Sequence, residues 1–232
     1  MTAIYRFLQV RCAESERAYS FTLHSGDIRI LQLSGKAEKD AIIDFAVGET
    51  ICDEGSIEIM LGERRQAREG HSLFQQERRL SKQPAPELWG LIQVNRLGRV
   101  GWVAGNGGLI SNLKVWENVT LPLWYHFKRD ATETEKSVEH WLTMLGLEPA
   151  AFAAFMAAPP FAIEPWQRKL AGLLRGLVQM PRVLVVDSGV FEDVSDVLAQ
   201  NWVSALEAYA SQGRAVLVLA DKASILPWEK IK

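Results

Sequence analysis

Residues 182–220 read RVLVVDSGVFEDVSDVLAQNWVSALEAYASQGRAVLVLA, and this stretch decides the fold class. It opens on a continuous apolar run, Arg182 to Asp187 (RVLVVD), and closes on a second, Ala215 to Ala220 (AVLVLA). Short runs without polar alternation read as strands buried on both faces. Between them, residues 195–210 place Val197, Leu198, Trp202, Leu206 and Tyr209 on one side of an amphipathic helix. Two buried strands joined by a helix form a βαβ unit, so this part of the sheet is expected to be parallel.

Working outward toward the N-terminus, Gln167 to Gln179 reads as a helix, and an earlier helical pattern at 150–157 stops at Pro159-Pro160. Val138, Trp141, Leu142 and Leu145 repeat at helical spacing, with Thr132 and Glu135 as an expected capping box and Gly146 as the stop. Residues 115–127 (VWENVTLPLWYHF) begin this helical region. Before it come a strand, Arg99 to Ala104, and the glycine cluster GNGG at 105–108. Residues 63–87 are polar and charge-rich, expected as surface helix or loop. Gly55 to Met60 alternates as a strand of an antiparallel sheet does. Ile28 to Leu33, bounded by Gly26 and Gly35, is a buried strand; SGKAEKD follows, then a short helix carrying Ile42, Ile43, Phe45, Ala46 and Val47 up to Gly48. The pattern describes one α/β domain over residues 1–232 with a helical insert at about 115–165.

The chain has 232 residues, 48% apolar and 23% charged, an ordinary globular balance. Its net charge of −2 gives no electrostatic reason for a nucleic-acid partner. No stretch reaches the roughly 18 apolar residues of a membrane span, and MTAIYRFLQV lacks the pattern of a signal peptide, so no direct membrane insertion is expected. Cys12 and Cys52 lie in no metal-ligand spacing and suit a reducing compartment. Among eight tryptophans, Trp89, Trp116, Trp124 and Trp228 sit near turn-forming residues and are interface candidates.

Two stretches carry a resemblance. GWVAGNGGLISNLKVWENVTLPL, residues 101–123, resembles the glutamine-loop region of ABC-transporter ATPases, and within that superfamily it is most similar to the ATPase subunits of MCE-type lipid-transport systems. QRKLAGLLRGLVQMPRVLVVDS, residues 167–188, resembles the helix after the signature motif and the strand that ends in the Walker B aspartate. The order of elements from 26 to 221 agrees with that family. The resemblance implies a P-loop NTPase-like α/β fold: a mainly parallel core sheet, an antiparallel β subdomain and a helical subdomain.

Set against the family's chemistry, the motifs are degenerate. The phosphate loop GxxxxGK[ST] needs glycines, a phosphate-binding lysine and a hydroxyl for Mg²⁺. Here the equivalent runs through Gly35, Lys36, Ala37, Glu38, Lys39 and Asp40, about two residues short. Lys39 matches the phosphate lysine, nine residues before Gly48, while Glu38 and Asp40 would set negative charge against phosphate. The same residues also read as a plain strand-to-helix turn with solvated charges. Gly105 stands at the glutamine's position. The signature motif reads Ile163-Glu164-Pro165-Trp166-Gln167, with Glu164 for serine, a proline lacking an amide hydrogen and Trp166 obstructing close approach; equally, Pro165 simply opens a helix. Asp187 is kept, but Ser188 replaces the catalytic glutamate and Asp221 the switch histidine. No adenine-stacking aromatic is evident in residues 8–13.

The resemblance therefore implies a pseudo-ATPase with no ATP/Mg or only weakly bound ATP/Mg. It would be cytoplasmic and peripheral to the inner membrane, docked on a membrane permease and paired with an identical or active second ATPase-type subunit. Leu113, Val115, Trp116 and Trp124 are the expected permease contacts, with packing of the helical subdomain as the other reading. A weak or partner-dependent ATPase and a soluble regulatory or scaffold protein without a transporter are the alternatives.

Overall fold

A computed structural model describes residues 2–13, 15–63, 87–95, 98–126, 130–222 and 227. Most of the polar 63–87 stretch, and Trp228, lie outside the described residues. Among the described residues, eight strands form two sheets. One is antiparallel: β1 (Ala3–Arg11), β2 (Tyr19–His24), β4 (Glu54–Glu63) and β5 (Glu87–Leu91), in the order β2-β1-β4-β5. The other is parallel: β3 (Ile28–Leu33), β6 (Val100–Val103), β7 (Val183–Asp187) and β8 (Ala215–Asp221), in the order β3-β8-β7-β6.

The parallel sheet separates two cores. Val183 and Val185 of β7, with Leu217 and Leu219 of β8, face a cluster shared with the antiparallel sheet and helix α1 (Lys36–Val47). Their neighbours Leu184, Val186, Val216 and Val218 face a second cluster built by the helices. Both sides being covered explains why these strands read as continuous apolar runs. The expected βαβ unit is present: β7 and β8 pair in parallel through α7 (Asp196–Ser211). Within α7 the apolar stripe is corrected at one position. Val197 is 70% exposed, while Trp202, Leu206 and Tyr209 are fully buried. The neighbouring cap, Ser195, accepts from the Leu198 amide at 3.4 Å and starts the helix, so Val197 falls in its exposed first turn.

Helices α3 (Val115–His126), α4 (Ala131–Met144) and α5 (Phe152–Ala157) follow β6, with α2 (Ile92–Asn95) before it. Trp141 of α4 packs with its ring centroid 6.3 Å from that of Tyr209 of α7, and Trp202 donates to the Leu145 carbonyl at 3.2 Å, fastening the helical unit to the sheet layer. The cap of α4 differs from expectation. Asp130, not Thr132, is the N-cap, accepting from the Thr132 and Glu133 amides at 2.9 and 3.3 Å. Gly146, at φ +85°, ends this region as expected. The two N-terminal strands have no counterpart in the sequence reading. In β1, buried Ile4, Tyr5, Phe7 and Val10 break strict alternation: the register shifts between Ala3 and Tyr5, and again between Phe7 and Val10, where Gln9 takes a positive φ of 52°.

Candidate functional site

The site stands at the C-terminal ends of the parallel strands. β3 ends at Leu33 and α1 begins at Lys36, so only Ser34 and Gly35 connect them. Sequence reasoning expected the helix to start after Asp40; instead Lys36, Lys39 and Asp40 already lie on it. Gly35 is its N-cap in extended backbone, and Lys36 and Asp40 point to solvent.

Lys39 is buried, 6% exposed. Its Nζ lies 3.0 Å from Asp187 Oδ1 and 3.4 Å from Asp221 Oδ2. Burial alone would lower the pKa of this ammonium. The hydrogen bond and charge of Asp187, then those of Asp221, outweigh burial and hold it above the ordinary lysine value. The same Asp187 oxygen accepts from the Gly189 amide at 3.0 Å, capping the 3-10 turn that begins at Ser188, itself buried. Gly105 closes the group from the β6 side. A Cβ there would sit 2.9 Å from Asp187 Oδ2 and 3.2 Å from the Gly189 Cα. The structure thus gathers Lys39, Gly105, Asp187, Ser188 and Asp221 at one point.

Glu38 behaves differently from the expected solvated charge. It is 2% exposed and turns inward. Oε2 accepts from the Ser34 amide at 2.5 Å and Oε1 from the Tyr19 hydroxyl at 2.8 Å. Burial pushes its carboxyl up, but hydrogen bonds from Ser15, Ser34 and Tyr19 more than offset this and hold it below the usual glutamate value. Tyr19, desolvated and bonded to Glu38, is pushed well above the usual phenol range. Tyr19 was missed in the sequence. The available signal was a glutamate in a first helical turn able to reach back to a preceding amide, the second half of a capping box.

Residues 163–167, expected as the signature equivalent, lie at the start of α6 (Pro165–Gln179). Glu164 is the N-cap, its side chain taking the Gln167 amide, while Gln167 Oε1 accepts from the Glu164 amide at 2.9 Å. Pro165 occupies the first turn. Ile163 is buried, and Trp166 is half-buried against the helical core. Phe161 nearby is 81% exposed. Helix α6 also holds the glycine cluster: Arg175 donates to the Gly108 and Gly107 carbonyls at 2.8 and 3.2 Å. Gly107 needs its φ of +88°, and a Cβ there would meet the Arg168 carbonyl oxygen at 2.1 Å.

Of the expected permease contacts, Val115 is corrected: it is fully buried in the helical core and offers no surface to a partner. Leu113 is half-buried. Trp116 lines a groove of about 910 Å³ with Val138, Leu142, Phe152 and Met156, and Trp124 is 58% exposed beside Leu121, 37% exposed. Among the described residues, no helix is long and apolar enough to cross a membrane, and no group of three potential metal ligands occurs.

No family model matches the chain, and no curated protein does. Solved structures do. A dimeric bacterial ABC-transporter cassette, MJ0796, superposes with a TM-score of 0.67 at 17% identity, covering 94% of this chain and 88% of that one. Its post-hydrolysis dimer bound to ADP and Pi gives 0.65 at 17% identity, with the same coverage. CbiO1 from Clostridium perfringens, part of the ABC transporter complex CbiONQ, gives 0.64 at 13% identity over 96% of this chain and 80% of that one. With a parallel sheet, an antiparallel sheet and a helical unit placed as in these cassettes, the chain has the P-loop fold of ABC-transporter ATPase domains.

Proposed function

We propose that this chain is a catalytically degenerate nucleotide-binding-domain subunit of an ABC transporter, a single cassette domain that supports assembly rather than hydrolysis. The observation that carries this reading is Lys39 clasped between Asp187 and Asp221 with Gly105 packed against Asp187. These residues do not fit Mg·ATP. The lysine that would meet phosphate is neutralised by two carboxylates. The aspartate that would serve Mg²⁺ is engaged by that lysine and a backbone amide. The position of a coordinating glutamine has no side chain, and a Cβ there would press on the Asp187 carboxylate at 2.9 Å. Ser188, buried, lacks the basicity to activate water.

In this reading the subunit is cytoplasmic, peripheral to the inner membrane through a permease, and paired with an identical or active ATPase-type subunit. Support for dimer and complex comes from the matched cassettes, one described as dimeric and one as part of a transporter complex. Leu113, Trp116 and Trp124 are the proposed permease contacts. Lipid as the transported class rests on the resemblance of residues 101–123 to MCE-type subunits.

Titration calorimetry of the purified chain with Mg·ATP is the direct test. Silence at millimolar nucleotide is the expected result; clear micromolar binding overturns the reading. The second reading is a partner-dependent ATPase, in which a partner supplies the missing groups and Lys39 and Asp187 are released to nucleotide. Hydrolysis in the assembled complex that disappears with Asp187→Asn would establish it.

A further inference from the structure

The β3–α1 turn is where a free anion binds in a nucleotide-handling fold of this topology: backbone amides and the positive end of a helix converge there. In this chain the position already holds a negative charge. Glu38 sits in the first turn of α1, almost fully buried, with its two oxygens divided between different donors. One takes the Ser34 amide in the turn itself, the other the Tyr19 hydroxyl on β2. Lys39, the next residue, faces Asp187 and Asp221 instead. The carboxylate is therefore held by the kind of donor that binds phosphate, a backbone amide at a helix start, and a hydroxyl from a second sheet closes over it.

We propose that the Glu38 carboxylate is the chain's own permanent ligand for this turn, fixing it in the anion-bound arrangement and excluding any external anion of the phosphate class. The inference rests on the reading of the chain as a non-catalytic subunit. It adds what keeps the turn ordered without nucleotide, and which residue sets the exclusion.

Hydrogen bonds between a side-chain anion and buried donors are directional, so removing the anion leaves donors that another anion can satisfy. The test is thermal unfolding of the full-length protein and of Glu38→Ala, each in chloride, inorganic phosphate and pyrophosphate at matched ionic strength. Pyrophosphate affinity is measured alongside by calorimetry. The native protein is expected to melt at the same temperature in all three salts. Glu38→Ala is expected to melt lower in chloride, to recover with phosphate or pyrophosphate in a concentration-dependent way, and to bind pyrophosphate at least roughly tenfold more tightly than the native chain. Glu38→Gln, which removes the charge and keeps the size of the side chain, serves if Glu38→Ala does not fold. It is expected to show a smaller anion-specific recovery of the same sign. A Glu38→Ala protein that is destabilised with no preference for phosphate over chloride overturns the proposal and leaves Glu38 a helix cap. So does a native protein that binds pyrophosphate as tightly as the variant. Tight Mg·ATP binding by the native chain defeats the broader reading and the exclusion together, whereas a Glu38→Ala protein indifferent to phosphate defeats the proposal alone, so the two failures are told apart.

Discussion

At the scale of single residues, the site is an electrostatic knot in which one cation serves two anions. Lys39 is buried between Asp187 and Asp221, so replacing it with methionine leaves two carboxylates facing each other with no counter-charge. Breaking a buried pair by removing one partner costs about 3–5 kcal/mol. Lys39→Met is therefore expected to lower the unfolding free energy read from urea titration by about 3–5 kcal/mol, a structural penalty independent of nucleotide. The pH dependence follows from the direction of the shift. The Lys39 pKa is raised in the folded chain, so its contribution is fully present below the ordinary lysine value and is lost as pH rises through the raised one. The stability gap between native protein and Lys39→Met should stay flat from neutral pH to about 10 and narrow only above that. A gap that closes near neutral pH would mean that another group carries the effect. Ser188→Glu tests the proposed loss of a base. It places a carboxylate at a position 2% exposed, so loss of stability without any gain of hydrolysis is the expected outcome in the assembled complex.

At the scale of elements, helix starts decide the chemistry. Glu164 and Gln167 satisfy the exposed amides of α6 reciprocally, and Glu38 reaches back from α1 to the Ser34 amide. Both helix starts are thus supplied with acceptors from the chain itself. Glu164→Ala should cost about 1 kcal/mol in urea unfolding, as loss of a cap does. Gly107→Ala should cost more, because it adds backbone strain at positive φ to a clash with the Arg168 carbonyl. These details were only partly legible in the sequence. Pro165 as a helix opener and Gly48 and Gly146 as helix stops were readable, since each needs only local geometry. The true start of α1 was not. A turn written GKAEKD looks polar and solvated until Glu38 is seen to bond Tyr19, a residue on another strand. The Asp130 cap escaped for a similar reason: Thr132 and Glu135 offered an equally plausible box, and only the backbone path chooses between them.

At the scale of the whole molecule, the parallel sheet was legible because burial on both faces writes itself as unbroken apolar runs, as in β7 and β8. Strand β1 was not, because register shifts between Ala3 and Tyr5 and between Phe7 and Val10 disrupt the period that identifies half-buried strands. Surface and core also separate cleanly on α3, and this separation tests the proposed docking. Val115 is fully buried, while Leu121 and Trp124, three residues apart and so on one helix face, are exposed. If α3 meets the permease, Trp124→Ser and Leu121→Ser should leave the melting temperature unchanged, since exposed positions contribute little to folding. They should also abolish co-purification of the permease from solubilised membranes. Val197→Ser, equally exposed but on α7, should retain the partner. Val115→Ala should lose stability first, through the cavity it leaves in the helical core. Retention of the permease by both α3 surface variants would remove α3 from the interface. Because fold and association are read separately in this set, a lost partner cannot be mistaken for a lost fold.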